Sequence, residues 1–79
     1  MNRLREIIAD ALHPIESKIQ SWSLEADEES EIYTLVVVGR RGKCARKVID
    51  YSILESILVD GPEREAFCRQ VSKFSRYFG

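Results

Sequence analysis

The sequence has few of the residues that build metal, redox and catalytic sites. Its 79 residues include only two cysteines and one histidine, and Cys44 and Cys68 are too far apart along the chain for a zinc knuckle or a redox pair. His13 stands beside a proline at a predicted helix end, and no spacing pairs it with either thiol. We therefore predict that the protein has no metal or other cofactor and is not an enzyme.

The chain also lacks a long apolar segment. Its apolar runs are much shorter than the ~18 residues that span a bilayer. The N-terminal stretch MNRLREIIADAL carries a charge every few positions, unlike the continuous apolar core of a signal peptide. We expect a cytoplasmic protein with reduced cysteines and no membrane partner.

Size and composition indicate one small folded domain, residues 1–79. Hydrophobic residues make up 44% of the chain and charged residues 32%, which is typical of a globular protein rather than a disordered one. A chain of this size buries only about 60 per cent of its unfolded surface. Self-association would therefore add useful stability.

The net charge of −1 conceals a strong separation of charge along the chain. Residues 20–39 carry five acidic residues and no lysine or arginine, whereas residues 40–50 carry five basic residues against Asp50 alone. The other segments balance, so blocks of −5 and +4 give the net charge of −1. The basic residues are Arg40, Arg41, Lys43, Arg46 and Lys47.

An amphipathic helix is predicted at the start of the chain. Its apolar residues, spaced to line one helix face, are Leu4, Ile7, Ile8, Ala11 and Leu12. Pro14 cannot donate a backbone hydrogen bond and disfavours a helical residue before it, so the helix should end or kink there. Because Ile15 and Ile19 continue the apolar stripe, a kinked helix that runs to about Lys18 is an open alternative.

Three strands are predicted next. From Ser21 the pattern alternates with a period of two, the stretch DEES forms an acidic turn, and residues 31–38 are rich in β-branched and aromatic residues. The segment GRRGK suits a three-residue hairpin loop, residues 40–42, with Gly42 in the left-handed conformation. It lacks the spacing of a nucleotide-binding P-loop. The third strand is predicted from Lys43 to Ile49.

Helices are predicted to follow the strands. Residues 52–58 show helical spacing with Ser52 and Glu55 as a capping box, although a fourth strand is an open alternative. Pro62 suits the first turn of a last helix, and its apolar stripe consists of Phe67, Val71, Phe74 and Phe78. We predict an α+β fold of order α-β-β-β-α(-α): a two-layer, three-stranded antiparallel meander with the N- and C-terminal helices on one face.

The two hairpins predict a register for the sheet. Trp22 should lie opposite Leu35 and Leu24 opposite Tyr33, while on the other side of the central strand Val37 should lie opposite Ala45 and Tyr33 opposite Ile49. That apolar face is the one that the helices should cover. The opposite face is mixed, and its apolar residues are Ile32, Val36, Val38 and Val48. We predict a homodimer that forms through this face, with these four residues as its interface, or through an edge strand.

Two functional hypotheses follow. The first is a non-enzymatic protein-interaction module that acts as a homodimer. The second is a nucleic-acid or anion-binding module, or a module for an acidic partner, that uses the basic hairpin 40–47. The basic residues of the hairpin also have a purely structural interpretation, because lysine and arginine on an edge strand prevent edge-to-edge aggregation.

Overall fold

The computed structural model describes residues 2–78 and the side chains of residues 3–78. An α-helix (α1, Asn2–Leu12) leads into a 3₁₀ helix (His13–Lys18). Three strands follow: β1 (Ile19–Asp27), β2 (Ile32–Gly39) and β3 (Cys44–Asp50). The remaining helices are α2 (Tyr51–Leu58), α3 (Pro62–Ser72) and α4 (Phe74–Phe78).

The strands form one antiparallel sheet in the order β1-β2-β3. Leu35, Val37 and Ile49 point from the inner face of this sheet into a core shared with the helices, where all three are fully buried. The fold is therefore the predicted α+β meander with the helices on one face. Within residues 2–78 no helix is both long enough and apolar enough to cross a membrane.

Both interpretations of the first helix are partly correct. The α-helix ends at Leu12, next to the proline, and the chain continues to Lys18 as a 3₁₀ helix with Pro14 near its start. Pro14 is tolerated there because the first N–H groups of a helix have no intrahelical partner. Ile15 and Ile19 extend the buried stripe, and both are at most 7% exposed.

The predicted register is confirmed between β2 and β3 and is wrong by two residues between β1 and β2. Tyr33 pairs with Ile49 and Val37 with Ala45, but Trp22 pairs with Val37 rather than Leu35. The loop occupies residues 28–31, where Glu31 adopts a left-handed φ of 54°. The Ser30 N–H donates to the Asp27 carboxylate at 3.3 Å and stabilises this turn. A shift of two residues leaves every side chain on its predicted face.

The basic hairpin has the predicted turn. Gly42 has a φ of +88°, and its N–H donates to the Gly39 carbonyl at 3.0 Å. The Gly39 N–H in turn donates to the Lys43 carbonyl at 2.7 Å. These bonds close a three-residue loop whose left-handed position favours glycine.

The segment after β3 is the helix α2 and not a fourth strand. Its N-cap residue is Asp50 and Ser52 lies inside the helix, so the predicted capping box is wrong. The last predicted helix is divided at Lys73 into α3 and α4. Its apolar stripe is confirmed: three of its residues are buried in the core and the fourth, Phe74, packs against it.

Candidate functional site

The outer face of the sheet carries a central apolar stripe that the helices do not cover. Ile32, Val36 and Val38 alternate with the core residues of β2, and Val48 lies beside Thr34 on β3. None of the four belongs to the core or packs against it as a partly buried neighbour. Val48 is 54% exposed. The predicted interface residues therefore share one face, with no part of residues 2–78 packed over them as a second layer.

The two edges of this outer face differ in charge. Glu25 and Asp27 alternate with the inward-facing residues of β1, and Arg46 lies on β3, where it pairs with Val36. The residue opposite Val36 on β1 is Ser23. Asp50 also lies on this face of β3, where it pairs with Ile32. The β1 edge is therefore acidic and the β3 edge carries one charge of each sign, with an apolar stripe between them.

The five predicted basic site residues do not form one site. Arg46 belongs to the outer face, whereas Lys47 pairs with Leu35 on the inner face. The ammonium nitrogen of Lys47 lies 5.9 Å from the centre of the Phe67 ring, which is within the range of a cation–π contact. Arg40, Arg41 and Lys43 remain together at the tip of the hairpin.

The hairpin tip is attached to the end of the 3₁₀ helix. The Arg40 N–H donates to the Lys18 carbonyl at 3.0 Å, and Arg40 Nε donates to the Ser17 carbonyl at 2.8 Å. The last carbonyls of a helix have no partner within it and interact favourably with a cation, so Arg40 stabilises this end. The contact brings Lys18 next to the basic hairpin.

A pocket of about 200 Å³ opens at this junction. Its lining residues are Ser17, Lys18, Arg40, Arg41 and Phe78. The ammonium group of Lys18 donates to the Ser75 carbonyl at 3.4 Å, and that of Lys43 donates to the Tyr77 carbonyl at 3.5 Å. The helix α4 thus fixes one side of the pocket.

Sequence reasoning missed Ser17, Lys18 and Phe78 as parts of the basic site. In the structure β1 begins at Ile19, which pairs with Gly39. That pairing places the preceding residue, Lys18, beside Arg40. We predicted that β1 starts at Ser21, and so left this neighbour out. No local pattern predicts the position of Phe78, which reaches the hairpin from the other end of the chain.

No known protein family, curated protein or solved structure matches this chain. The functional assignment therefore depends on the geometry of the outer face and of the basic pocket.

The two cysteines differ in environment. Cys44 is exposed on the outer face, while Cys68 is half-buried and packs against the core. Burial raises the pKa of the Cys68 thiol, Arg64 partly offsets this, and Asp10 adds to the increase. Within residues 2–78 no three metal-ligating side chains of His, Cys, Asp or Glu cluster closely enough to hold a metal ion.

We expect Cys44 to react several-fold faster than Cys68 with a disulfide reagent at neutral pH. The thiolate is the reactive form, so a raised pKa lowers the reactive fraction of Cys68 at any pH below that pKa. Stopped-flow absorbance on Cys44→Ser and Cys68→Ser separates the two rates. Equal rates in the two single variants at low protein concentration would contradict this expectation.

Proposed function

We propose that this protein is a non-enzymatic binding module that acts as a homodimer, with the outer face of the sheet as its interface. The observation that carries the proposal is the uncovered apolar stripe of Ile32, Val36, Val38 and Val48. A strand that is apolar on both sides usually has a packing partner on both sides. Here the helices supply only one of the two layers.

Two opposite charges of the outer face, those of Glu25 and Arg46, favour a second copy of the chain as the partner. A two-fold axis parallel to the strands stacks β2 on β2 and places the β1 edge of each copy over the β3 edge of the other. Glu25 then lies opposite Val48 of the second copy. Arg46 of that copy is the next outward-facing residue of the same strand, and a long side chain can reach from one position to the next.

A two-fold axis perpendicular to the strands stacks β1 on β1 with the strand directions reversed. At full overlap Glu25 then lies opposite Ser23 of the second copy and close to its Glu25. The axis parallel to the strands also brings like charges together, because it places Asp27 opposite Asp50 of the second copy. We propose the parallel axis because only this one of the two brings Glu25 close to Arg46.

The area of the face sets the expected strength of the dimer. Strands of seven to nine residues, at about 3.3 Å per residue and about 4.8 Å between strands, give a face of roughly 15 by 26 Å. This is small beside the ~800 Å² that each partner contributes to a standard interface. We therefore expect a dissociation constant in the micromolar range.

We propose that the protein is located in the cytoplasm. Both cysteines are free thiols, and a reducing compartment keeps them so. The proposed function needs no catalytic group, since binding depends only on the apolar stripe and its charged edges.

Sedimentation equilibrium from low to high micromolar concentration tests the proposal with the variant Val48→Glu. The new carboxylate would lie opposite Glu25 of the second copy, so we expect the dimer to weaken at least about tenfold, equivalent to about 1.4 kcal/mol. Val59→Glu is the matched control because Val59 is 64% exposed but follows α2, away from the outer face.

Two results would contradict the homodimer. One is a wild-type protein that stays monomeric at all concentrations. The other is an equal loss of association in Val48→Glu and Val59→Glu, which would place the contact elsewhere. Thermal unfolding of both variants checks that each monomer remains folded.

A further inference from the structure

The pocket at the hairpin tip has the features of a small anion site. Three of its five lining residues are cationic, namely Lys18, Arg40 and Arg41, and no carboxylate lines it. The neighbouring carboxylate in the sequence, Glu16, lies 3.3 Å from His13 Nδ1 and lines a different pocket. The positive charge of the pocket is therefore not neutralised by a side chain within it.

Arg40 is held in place before any ligand arrives. Its Nε group donates to the Ser17 carbonyl and its backbone N–H donates to the Lys18 carbonyl. These bonds leave both terminal nitrogens of the guanidinium group for an anion. A planar guanidinium suits the oxygens of phosphate, and a cation that is already positioned loses little freedom on binding.

The remaining donors complete the site. The ammonium group of Lys18 has three N–H donors and uses one on the Ser75 carbonyl. The guanidinium group of Arg41 makes no hydrogen bond within residues 2–78, and Ser17 adds a hydroxyl group. The two contacts of Arg40 hold Ser17 and Lys18 against the hairpin, so these donors share one concave surface.

The size of the pocket limits what it can bind. Its volume of about 200 Å³ is below the ~300 to 1,000 Å³ of sites for drug-sized molecules. It suits one compact anionic group rather than a large organic ligand. A nucleic-acid backbone would require a continuous basic strip, but Arg46 and Lys47 lie on opposite faces of the sheet.

We propose that Ser17, Lys18, Arg40 and Arg41 form a binding site for a terminal phosphate group. The group could belong to a small phosphorylated molecule or to the end of a nucleic-acid strand, and both present the same chemistry. The site goes beyond the proposed homodimer and does not depend on it, because none of its residues belongs to the apolar stripe of the outer face.

Amide chemical-shift titration with pyrophosphate tests the site. We expect saturable shifts confined to residues 17–18, 40–43 and 75–78. Lys18→Gln/Arg41→Gln should lower the affinity at least about tenfold, since hydrogen bonds to charged groups contribute about 1.5 to 3 kcal/mol each and 1.4 kcal/mol is tenfold. The control Arg5→Gln/Lys73→Gln removes the same charge from exposed positions on α1 and after α3.

A short oligonucleotide with and without a 5′-phosphate identifies the source of the group. Binding of pyrophosphate alone assigns a small phosphorylated ligand, and binding that needs the 5′-phosphate assigns a strand end. Equal binding with and without that phosphate would overturn the terminal-phosphate proposal in favour of backbone recognition.

Two further results would contradict the proposed site. One is amide chemical-shift changes that spread over the whole surface without saturation. The other is equal affinity for pyrophosphate in Lys18→Gln/Arg41→Gln and in the control Arg5→Gln/Lys73→Gln. If the double variant fails to fold, the single variant Arg41→Gln is decisive, because it removes no hydrogen bond within residues 2–78. Val48→Glu should bind pyrophosphate like the wild type, which separates failure of this site from failure of the homodimer.

Discussion

Replacing Gly39 with alanine is expected to lower the free energy of unfolding by about 2 kcal/mol, as an overpacked core does. A Cβ atom at this position would lie 2.6 Å from Cδ1 of the buried Phe78 ring. Gly39 does not have a left-handed backbone conformation, so the cost is steric. Urea denaturation should show a lower midpoint with an unchanged slope.

Gly61→Ala is the matched control for this substitution. No atom lies within 4 Å of a Cβ at Gly61, so its stability should change by less than about 1 kcal/mol. Phe78→Ala should abolish most of the additional loss caused by Gly39→Ala, because the two residues interact directly. Full additivity in this double-mutant cycle would contradict the packing of Phe78 on Gly39.

Reversing one charge of the outer face is expected to weaken the dimer about a hundredfold. With the proposed two-fold axis, Glu25→Arg places the new arginine beside Arg46 of the second copy, and symmetry repeats this contact once. A cost of about 1.4 kcal/mol at each of the two contacts lowers the affinity tenfold twice. Arg46→Glu should have a similar effect. The variant Glu25→Arg/Arg46→Glu should restore the wild-type association, as measured by sedimentation equilibrium.

The double variant distinguishes the two possible arrangements. If the axis were perpendicular to the strands, residue 25 would lie near residue 25 of the second copy. Glu25→Arg would then replace one like-charge contact by another, and adding Arg46→Glu would not restore association. A double variant that stays as weak as either single variant would show that Glu25 and Arg46 do not meet across the interface. Increasing ionic strength should reduce all these differences, since exposed charges are screened by salt.

The faces of the sheet were predictable from the sequence, and the register was only partly so. Alternating burial decides which side of a strand faces the core, and a shift of two residues preserves that alternation. The β2–β3 register follows from a tight turn that needs Gly42. The β1–β2 register depends on the position of the acidic turn, where Glu31 takes a left-handed conformation that the sequence does not reveal.

The candidate site was also only partly predictable from the sequence. Charge counting locates the basic hairpin, and strand periodicity predicts that Arg46 and Lys47 point to opposite faces, as they do. The pocket itself requires the end of the 3₁₀ helix and the last aromatic residue of α4 to meet at the hairpin tip. Such a meeting of distant segments depends on tertiary packing, which local patterns do not encode.

The two turns of the meander lie at opposite ends of the strands, and their charges have opposite sign. Asp27, Glu28, Glu29 and Glu31 are at one end, and Arg40, Arg41 and Lys43 are at the other. The molecule consequently has a large electric dipole moment directed along its strands, although its net charge is only −1. In the field of a highly charged partner it would rotate before contact, so that an anionic surface meets the hairpin tip first.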